Sequence, residues 1–386
     1  MMLHIEYGAF KNMDIIDEIK KNKNIYIYGA GDVAREVAYC LMSSIYNIKI
    51  DGFLVTNIGD NDGKEILGCP IMQYDCIKNQ EDTVVIIAVL EKYRDEISNT
   101  LYGIGINNQV ILTFESDDWC ELRGQYLLRK AETSDDREYR WLDDVLSQNL
   151  ASDSKSILKV YVARSAVDKE LVEDFADRDW EESIQVGASL SEKKICEVRD
   201  DVGDNISDKN KQYCELTALY WLWKNCNLEW VGLSHYRRRF LISEDEIKSL
   251  LASDVDAVFT TPVINEPNVK FMYEKNHCAE DWQIMKNAVR NICPEYEDSV
   301  CAMELSDNYI PYNMFIMKKS FLNSYCEWLF PILEYCEKEI GKKDDVYQNR
   351  YVGFLAERLM SVYFIHNVYK YNMVFAHKHF LETKVN

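Results

Sequence analysis

Short apolar segments alternate with helical segments in two separate blocks of the chain, and this alternation constrains the fold more than any other feature. In the first block the apolar segments are 24–28, 48–55, 83–90 and 109–113. Strands that alternate with helices of this length pair in parallel, because each crossover returns the chain to the same edge of the sheet. The sequence therefore predicts an α/β fold whose first domain contains a parallel sheet.

The second block repeats the alternation and ends in a largely helical region. Its helices are predicted from the spacing of apolar residues over 213–225 and from a capping-box pattern that begins a helix over 243–251. The apolar segments predicted as strands are 158–163, 183–186, 231–240, 257–261 and 313–317.

A polar stretch separates the two blocks. Residues 116–155 are rich in Asp, Glu, Arg and Ser, with apolar residues at helical spacing, and predict a helical connector. A chain of 386 residues is long enough for two or three domains. We therefore expect an accessory domain over 1–115, the connector over 116–155 and a second α/β domain over 156–386.

Composition excludes several classes of function. The chain has 65 acidic and 44 basic side chains, a net charge of −21, which would repel the phosphate backbone of a nucleic acid. Its 12 cysteines form no CxxC pair and no Cys/His cluster at zinc spacing, so free thiols in a reducing cytoplasm are expected. No secretion signal is evident, and no apolar run approaches the roughly 20 residues of a membrane helix. The sequence predicts a cytoplasmic protein and leaves peripheral contact with the inner membrane face open.

A glycine-rich turn follows the first predicted strand. Residues 29–34, GAGDVA, fit the G-x-G-x-x-G/A pattern, and the backbone at Gly29, Gly31 and Asp32 can hold a phosphate at the helix amino terminus. The pattern predicts a Rossmann-like first domain. A dinucleotide also needs a carboxylate at the tip of the second strand, whereas Asp51 falls within that predicted strand. The alternative interpretation is a tight turn that simply requires glycine.

Positive charge is concentrated at one place in this acidic chain, the sequence VGLSHYRRRF at 231–240. A single strand here would place His235, Arg237 and Arg239 on one face, with Arg238 on the other. Guanidinium groups at the carboxyl end of a strand suit a phosphate or diphosphate, because they donate paired, charge-assisted hydrogen bonds. The alternative is that these arginines pair with surrounding carboxylates.

The first block resembles the small Rossmann-like amino-terminal domain of bacterial sugar acyltransferases and related polysaccharide-synthesis proteins. The resemblance covers about residues 22–113 and rests on the strand–GAG–helix unit, Gly52-Phe53 and the turn Gly68-Cys69-Pro70. It implies an accessory domain that binds nucleotide sugars.

The second block resembles a family of glycosyltransferases from bacterial capsule and exopolysaccharide gene sets, long labelled a domain of unknown function. The resemblance implies a GT-A-like α/β/α domain that transfers a sugar from a nucleotide-diphosphate sugar, such as UDP-linked galactose or galactofuranose. The implied acceptor is a lipid-linked saccharide of capsule, exopolysaccharide or O-antigen synthesis. The matching stretches are VYVA (160–163), IQVGA (184–188), GDNISDKN (203–210), ELTALYWLWKN (215–225), VGLSHYRRRF (231–240), YNMFIMKK (312–319), YCEWLFPIL (325–333) and GFLAERL (353–359).

Most GT-A enzymes neutralise the leaving diphosphate with a metal bound to a D-x-D motif after the fourth strand. The equivalent place here reads SHYR, 234–237, which argues against a Mn²⁺ or Mg²⁺ cofactor and predicts no metal ligands. We expect His235, Arg237 and Arg238 to contact the phosphates instead. The literal D-x-D of the chain, 254–256, is interpreted as the end of a helix rather than a metal site.

A base must take the proton of the acceptor hydroxyl, and Glu357, an acid among apolar neighbours on a predicted helix, is the candidate. A buried ion pair with Arg358 is the alternative. For the acceptor pocket, His277 and Asp281 are expected to share a helical face, and Asn313 is added from the family resemblance.

The loop 201–210 is dense in short polar groups and is expected to contact the donor nucleotide or its sugar through Asp204, Asn205, Ser207 and Asn210. Its alternative role is to cap the following helix through Ser207 or Asp208.

Two other functions are alternatives to a glycosyltransferase. One is an NAD(P)-dependent nucleotide-sugar oxidoreductase that uses the turn at 29–34, for which neither a ribose-binding carboxylate nor an acid–base group is evident in the first block. The other is a non-catalytic nucleotide-sugar-binding subunit of a polysaccharide-synthesis complex.

Overall fold

The computed structural model describes residues 11–78, 80–133, 139–146, 156–173 and 175–384. The chain separates into two compact units, Met1–Asp135 and Asp136–Asn386. Each of the 12 cysteines is a free thiol. Within the described ranges, no helix is long and apolar enough to span a bilayer.

The first unit contains a six-stranded sheet in the order β3-β4-β2-β1-β5-β6, in which only β3 pairs antiparallel. Numbered along the chain, its five parallel strands follow the order 3-2-1-4-5, which is found in Rossmann-type sheets. The strands are β1 (Asn24–Tyr28), β2 (Gly52–Val55), β3 (Glu65–Ile66), β4 (Cys69–Gln73), β5 (Thr83–Ile87) and β6 (Gln109–Ile111).

Within its described residues, the first unit has four α-helices. The last of them comes from the predicted connector, and its Leu122 carbonyl accepts a hydrogen bond from Tyr46 Oη at 3.0 Å. The remaining part of the connector that the structure describes, around Trp141, lies in the second unit. The boundaries at 115 and 155 stay predictions. The helices are α1 (Lys11–Lys20), α2 (Asp32–Met42), α3 (Arg94–Gly103) and α4 (Asp117–Thr133).

The second unit is built on a larger sheet whose main path is β16-β12-β15-β10-β7-β8-β9. Strand β15 runs antiparallel between β10 and β12, while β10, β7, β8 and β9 are parallel neighbours. The expected α/β class with parallel pairing is thus confirmed for both units. The strands are β7 (Leu158–Arg164), β8 (Glu181–Gln185), β9 (Val198–Arg199), β10 (Trp230–His235), β11 (Arg238–Phe240), β12 (Ala257–Thr260), β13 (Val263–Ile264), β14 (Asn308–Tyr309), β15 (Phe315–Lys318), β16 (Met373–Ala376) and β17 (Lys378–Phe380).

Helices cover this sheet and form the predicted carboxyl-terminal helical region. Ser243 begins α8 with the expected capping box, because its side chain accepts from the Glu246 backbone and Glu246 returns the bond. The helices are α5 (Leu142–Leu146), α6 (Asn210–Tyr213), α7 (Leu216–Asn225), α8 (Glu244–Ala252), α9 (Val269–Asn276), α10 (Ala279–Ile292), α11 (Glu297–Leu305), α12 (Lys319–Ile340) and α13 (Tyr351–Asn367).

The buried carboxylate of Asp200 fixes the loops that follow β8 and β9. Its oxygens accept from the backbone amides of Gly187 at 2.8 Å and Ala188 at 3.0 Å, and from Ser207 Oγ at 2.5 Å. Asp200 is inaccessible to solvent. Three donors therefore satisfy one buried charge, which ties two loops at the carboxyl edge of the sheet.

Replacing Asp200 with Ala is expected to lower the free energy of unfolding by about 3 kcal/mol, because three buried donors lose their acceptor. Urea unfolding followed by circular dichroism measures the change. Asp208→Ala, an exposed position on the same loop, serves as the control and should change stability by less than about 0.5 kcal/mol. Equal losses in the two variants would contradict the assigned role.

Candidate functional site

A tight turn, rather than a continuous strand, presents the arginine-rich segment. Strand β10 ends at His235, Tyr236 and Arg237 form the turn, and β11 returns from Arg238, which pairs with His235. The prediction of one strand over 231–240 was wrong. Strand β10 lies between β7 and β15 in the sheet. If it continued past His235, successive arginines would be buried, so the chain turns where β10 ends.

The three arginines have different environments. The side chain of Arg239 is inaccessible to solvent and forms ion pairs with Asp177 at 2.8 Å and Glu181 at 3.0 Å. Its role is structural, as the alternative interpretation of the cluster proposed. Arg237 and Arg238 are held differently, over aromatic rings.

The guanidinium of Arg237 lies 4.6 Å from the ring centre of Phe380. Arg238 lies 4.3 Å from the ring centre of Tyr312. Stacking on a ring face holds a guanidinium group in place without neutralising its charge. The turn therefore presents two positive charges close to residue 312.

Tyr312 and Asn313 connect this turn to the predicted base. The backbone amide of Tyr312 donates to Glu357 Oε1 at 3.0 Å, and Arg358 Nη1 donates to Glu357 Oε2 at 2.7 Å. The side chain of Glu357 retains 16% exposure, and each of its carboxylate oxygens accepts a hydrogen bond. Burial raises the pKa of Glu357, although the positive charge of Arg358 opposes the shift.

A second carboxylate, Glu215, lies beside Glu357 and was not selected from the sequence. Asn313 Nδ2 donates to Glu215 Oε1 at 2.7 Å, and Asn313 is inaccessible to solvent. Burial raises the pKa of Glu215, and the negative charge of Glu215 also acts to raise the pKa of Glu357. The available signal was an acidic residue directly before the apolar helix α7.

Three of the six described non-glycine residues with positive φ lie around these two carboxylates. Cys214, Tyr312 and Asn313 have φ angles of 52°, 72° and 52°, in a region that side chains other than glycine rarely occupy. Arg350 Nε donates to Cys214 Sγ at 3.1 Å, which brings a further guanidinium to the group. Such conformations persist only where the surrounding contacts impose them, and they cluster at functional sites. We define Glu215, Glu357, Asn313, Arg238 and Arg350 as the carboxylate cluster.

The loop predicted to contact the donor is largely held by its own hydrogen bonds. Asp204 Oδ1 accepts from Tyr220 at 3.2 Å, and Asn205 Nδ2 donates to the Gly203 carbonyl at 2.8 Å. Ser207 is buried against Asp200. Asn210 Nδ2 donates to the Cys214 carbonyl at 2.7 Å and so helps to hold the strained residue.

The capping alternative for this loop was wrong, because neither Ser207 nor Asp208 makes a side-chain cap. Helix α6 begins after Lys209 without one. Donor contact by Asp204, Asn205, Ser207 and Asn210 stays a prediction.

His277 and Asp281 do not share a helical face, contrary to prediction. His277 terminates α9, whereas Asp281 lies in the first turn of α10, because the backbone is extended at 277 and 278. Asp281 pairs with Lys343 at 2.5 Å. Burial, together with the positive charges of Arg358 and Lys343, lowers the pKa of His277 to about 3. Its imidazole is therefore neutral at pH 7 and cannot neutralise a diphosphate.

The literal D-x-D segment lies away from the carboxylate cluster. Asp256 precedes β12 and pairs with Lys318 at 3.0 Å, at the end of the sheet opposite to His235. Among the residues that the structure describes, no group of three or more His, Cys, Asp or Glu side chains is placed to hold a metal ion.

The glycine-rich turn of the first unit is sterically constrained at Gly29. Its φ is 126°, and a Cβ there would lie 2.6 Å from the Ala88 carbonyl oxygen. Gly31 precedes α2, and Asp32 places a carboxylate in the first turn, where a phosphate would bind. The tight-turn interpretation is thus sufficient to explain Gly29. Asp51 lies before β2, at the edge opposite to the turn, and accepts from the Ile25 amide at 2.9 Å.

The fold and the cluster describe an α/β protein with paired carboxylates and cations at the carboxyl edge of its larger sheet. A family model described as "Domain of unknown function (DUF4422)" matches residues 172–368, and the chain belongs to this family. No curated protein matches the chain.

One solved structure that resembles the chain is the apo structure of WbbM, a bifunctional glycosyltransferase. The two are 28% identical, with a TM-score of 0.52, over 58% of this chain and 45% of that chain. The chain thus spans less than half the length of that protein.

Glu215→Gln should make stability less sensitive to pH. A carboxyl whose pKa is raised by folding contributes stability below its unfolded pKa, near 4.5, and loses it as pH rises through the folded pKa. Relative to the wild type, the variant should therefore gain in free energy of unfolding between pH 5 and pH 9.

Urea unfolding at pH 5, 7 and 9 measures this difference. Glu339→Gln, an exposed position on α12, should leave the free energy of unfolding nearly unchanged. A constant difference between Glu215→Gln and the wild type at all three values would contradict the prediction.

Proposed function

We propose that this protein is a glycosyltransferase that moves a hexosyl group from a nucleotide-diphosphate sugar to a saccharide acceptor. A UDP-linked galactose or galactofuranose is the proposed donor. A lipid-linked saccharide of capsule, exopolysaccharide or O-antigen synthesis is the proposed acceptor. The resemblance to WbbM supports the general activity. The observation that carries the proposal is the meeting of Arg238 with Glu357 and Glu215 at one sheet edge.

The topology supports a donor site at this edge. Ligands of open α/β sheets bind beyond the carboxyl ends of parallel strands, and β7, β8 and β10 end here together. The arrangement is compatible with the GT-A-like domain that the sequence resemblance implies. We place the donor across the ends of these strands, with its sugar beside the carboxylate cluster.

A cavity of about 500 Å³ offers room for the nucleoside. Arg164, at the end of β7, is one of its walls, and both Arg164 and Arg237 lower the pKa of Asp168, although burial raises that pKa to about 6. The backbone amide of Tyr236 donates to the Ala163 carbonyl at 3.1 Å, so the arginine turn begins next to Arg164 and the cavity wall. The cavity is lined by Arg164, Glu182, Ser183, Ile195, Cys196, Glu197 and Val198.

The diphosphate would lie between this cavity and the carboxylate cluster, against Arg237 and Arg238. As the bond from the anomeric carbon to the diphosphate breaks, its electron pair leaves with the diphosphate, and these guanidinium groups stabilise the developing charge. His235, at the end of β10, is retained as a phosphate contact. In this proposal the two cations take the place of a metal.

Glu357 would receive the proton of the acceptor hydroxyl while the hydroxyl oxygen bonds to the anomeric carbon. A raised pKa makes a carboxylate a stronger base near neutral pH, provided that it remains ionised. The positive charges of Arg358 and Arg238 favour the ionised form. Glu215, held by Asn313, would keep the pKa of its neighbour high.

The first unit is proposed as an accessory domain, from its resemblance to the nucleotide-sugar-binding domains of sugar acyltransferases. Asp51 lies at the wrong edge for ribose recognition, which argues against the oxidoreductase alternative. Loose contact with the inner membrane face, where a lipid-linked acceptor would lie, is part of the same proposal.

Arg238→Ala should lower kcat for sugar transfer or donor hydrolysis by about 100-fold or more, because a charge that stabilises the leaving group is lost. The assay uses purified protein with several UDP-sugars, in EDTA and in manganese, and turnover should be independent of the metal. Arg290→Ala, at a surface position with 59% exposure, is the control. Strict manganese dependence would oppose the guanidinium mechanism. Full activity in Arg238→Ala would oppose the role of this guanidinium, whereas no turnover of any UDP-sugar by the wild type would favour a non-catalytic binding subunit.

Glu357→Gln should reduce kcat by a factor of about 100 or more, since the general base is lost. The wild-type profile of kcat/KM against pH should have an acidic limb above the usual carboxyl range, because burial raises the pKa of Glu357. Glu357→Gln should remove this limb. If Glu215→Gln abolished activity while Glu357→Gln did not, the role of base would pass to Glu215.

A further inference from the structure

Three aromatic side chains form a stack next to the carboxylate cluster. The ring centre of His277 lies 4.1 Å from that of Phe354, at an interplanar angle of 26°, and 5.8 Å from that of Tyr347, at 21°. Tyr347 and Phe354 are 5.1 Å apart. Tyr347 is 52% exposed, so part of the stack faces solvent. We call His277, Tyr347 and Phe354 the aromatic platform.

Hydrogen bonds fix the segment that carries Tyr347. Gln348 Nε2 donates to the Asn276 carbonyl at 3.0 Å, which joins the segment to the end of α9. The Lys343 amide donates to Asn349 Oδ1 at 2.9 Å, and the Lys343 ammonium pairs with Asp281. The platform is therefore formed before any ligand binds, which limits the entropy lost on binding.

His277 is part of the platform as an uncharged ring. Burial and the nearby positive charges of Arg358 and Lys343 keep its imidazole neutral at pH 7. A neutral ring that contacts two aromatic neighbours packs as an apolar surface. The residue thus contributes surface rather than charge.

The proposed base, Glu357, lies on the same helix as Phe354 of the platform. Phe354 and Glu357 are three residues apart on α13, on one face of the helix and separated by a rise of about 5 Å. At the rim, the guanidinium of Arg350 lies 5.7 Å from the ring centre of Phe354 and also contacts Cys214. A ligand on the exposed rings would therefore find a charged hydrogen-bond donor at its edge and a carboxylate beyond it.

We propose that the aromatic platform binds a sugar ring of the acceptor saccharide and directs its hydroxyl toward Glu357. A sugar ring has an apolar C–H face, which suits an exposed aromatic ring, and a rim of hydroxyls, which suits a guanidinium donor. The inference deepens the proposed function and rests on it, since it assigns the acceptor subsite of the same cluster.

The test compares Tyr347→Ala with the wild type, using octyl β-D-galactopyranoside as acceptor and a UDP-sugar as donor. Loss of the ring should raise KM for the acceptor by about tenfold, with donor hydrolysis in the absence of acceptor unchanged. Tyr347→Phe should restore the KM, because the ring rather than the hydroxyl makes the contact. Unchanged acceptor KM in Tyr347→Ala, or no restoration by phenylalanine, overturns the proposal.

Tyr369→Ala is the matched control, since this tyrosine is 89% exposed and lies beyond the other end of α13, about 25 Å away along the helix. If no UDP-sugar is turned over, the proposed function fails, and saturation-transfer NMR with the same galactoside tests the platform separately. Saturation of the sugar protons by the wild type and its loss in Tyr347→Ala support the platform. An equal signal from both proteins overturns it.

Discussion

Burial of β10 between β7 and β15 is the constraint on which the site depends. A strand enclosed on both edges and covered by helices cannot continue into consecutive arginines, so the chain must turn where the sheet ends. The turn places the three guanidinium groups in different environments. Arg239 is buried and pairs with Asp177 and Glu181, while Arg237 and Arg238 lie at the sheet edge. The antiparallel neighbour β15 brings Tyr312 and Asn313 to the same edge, and with them Glu215 and Glu357, whose side chains are partly buried.

The electrostatics of the site follow from this placement. The chain carries a net charge of −21, so positive side chains are easily neutralised by nearby carboxylates. Arg238 lies over the Tyr312 ring, and its positive charge acts on both Glu215 and Glu357. Each glutamate is in turn fixed by one donor from the 312–313 turn. Positive and negative groups therefore remain close while the carboxyls keep raised pKa values.

The sequence was informative where local pattern determines structure. The alternation of apolar and helical segments predicted the α/β class, and the Ser243 capping box was found where expected. The prediction of a single strand over 231–240 was wrong, because the neighbouring strands determine where β10 ends. The local sequence pattern does not specify those neighbours. The prediction that His277 and Asp281 share a helical face was wrong because the extended residues His277 and Cys278 separate two helices. Glu215 was missed because its partner, Asn313, is 98 residues away.

The unusual backbone at Cys214, Tyr312 and Asn313 has an evolutionary consequence. Glycine would adopt these φ angles without a steric clash, so a glycine substitution would relieve the local backbone strain. At residue 312, however, glycine would remove the ring beneath Arg238, and at residue 313 it would release Glu215. Selection for thermal robustness and selection for a working centre therefore oppose each other at these positions, and a heat-resistant relative would have to gain its stability elsewhere in the chain.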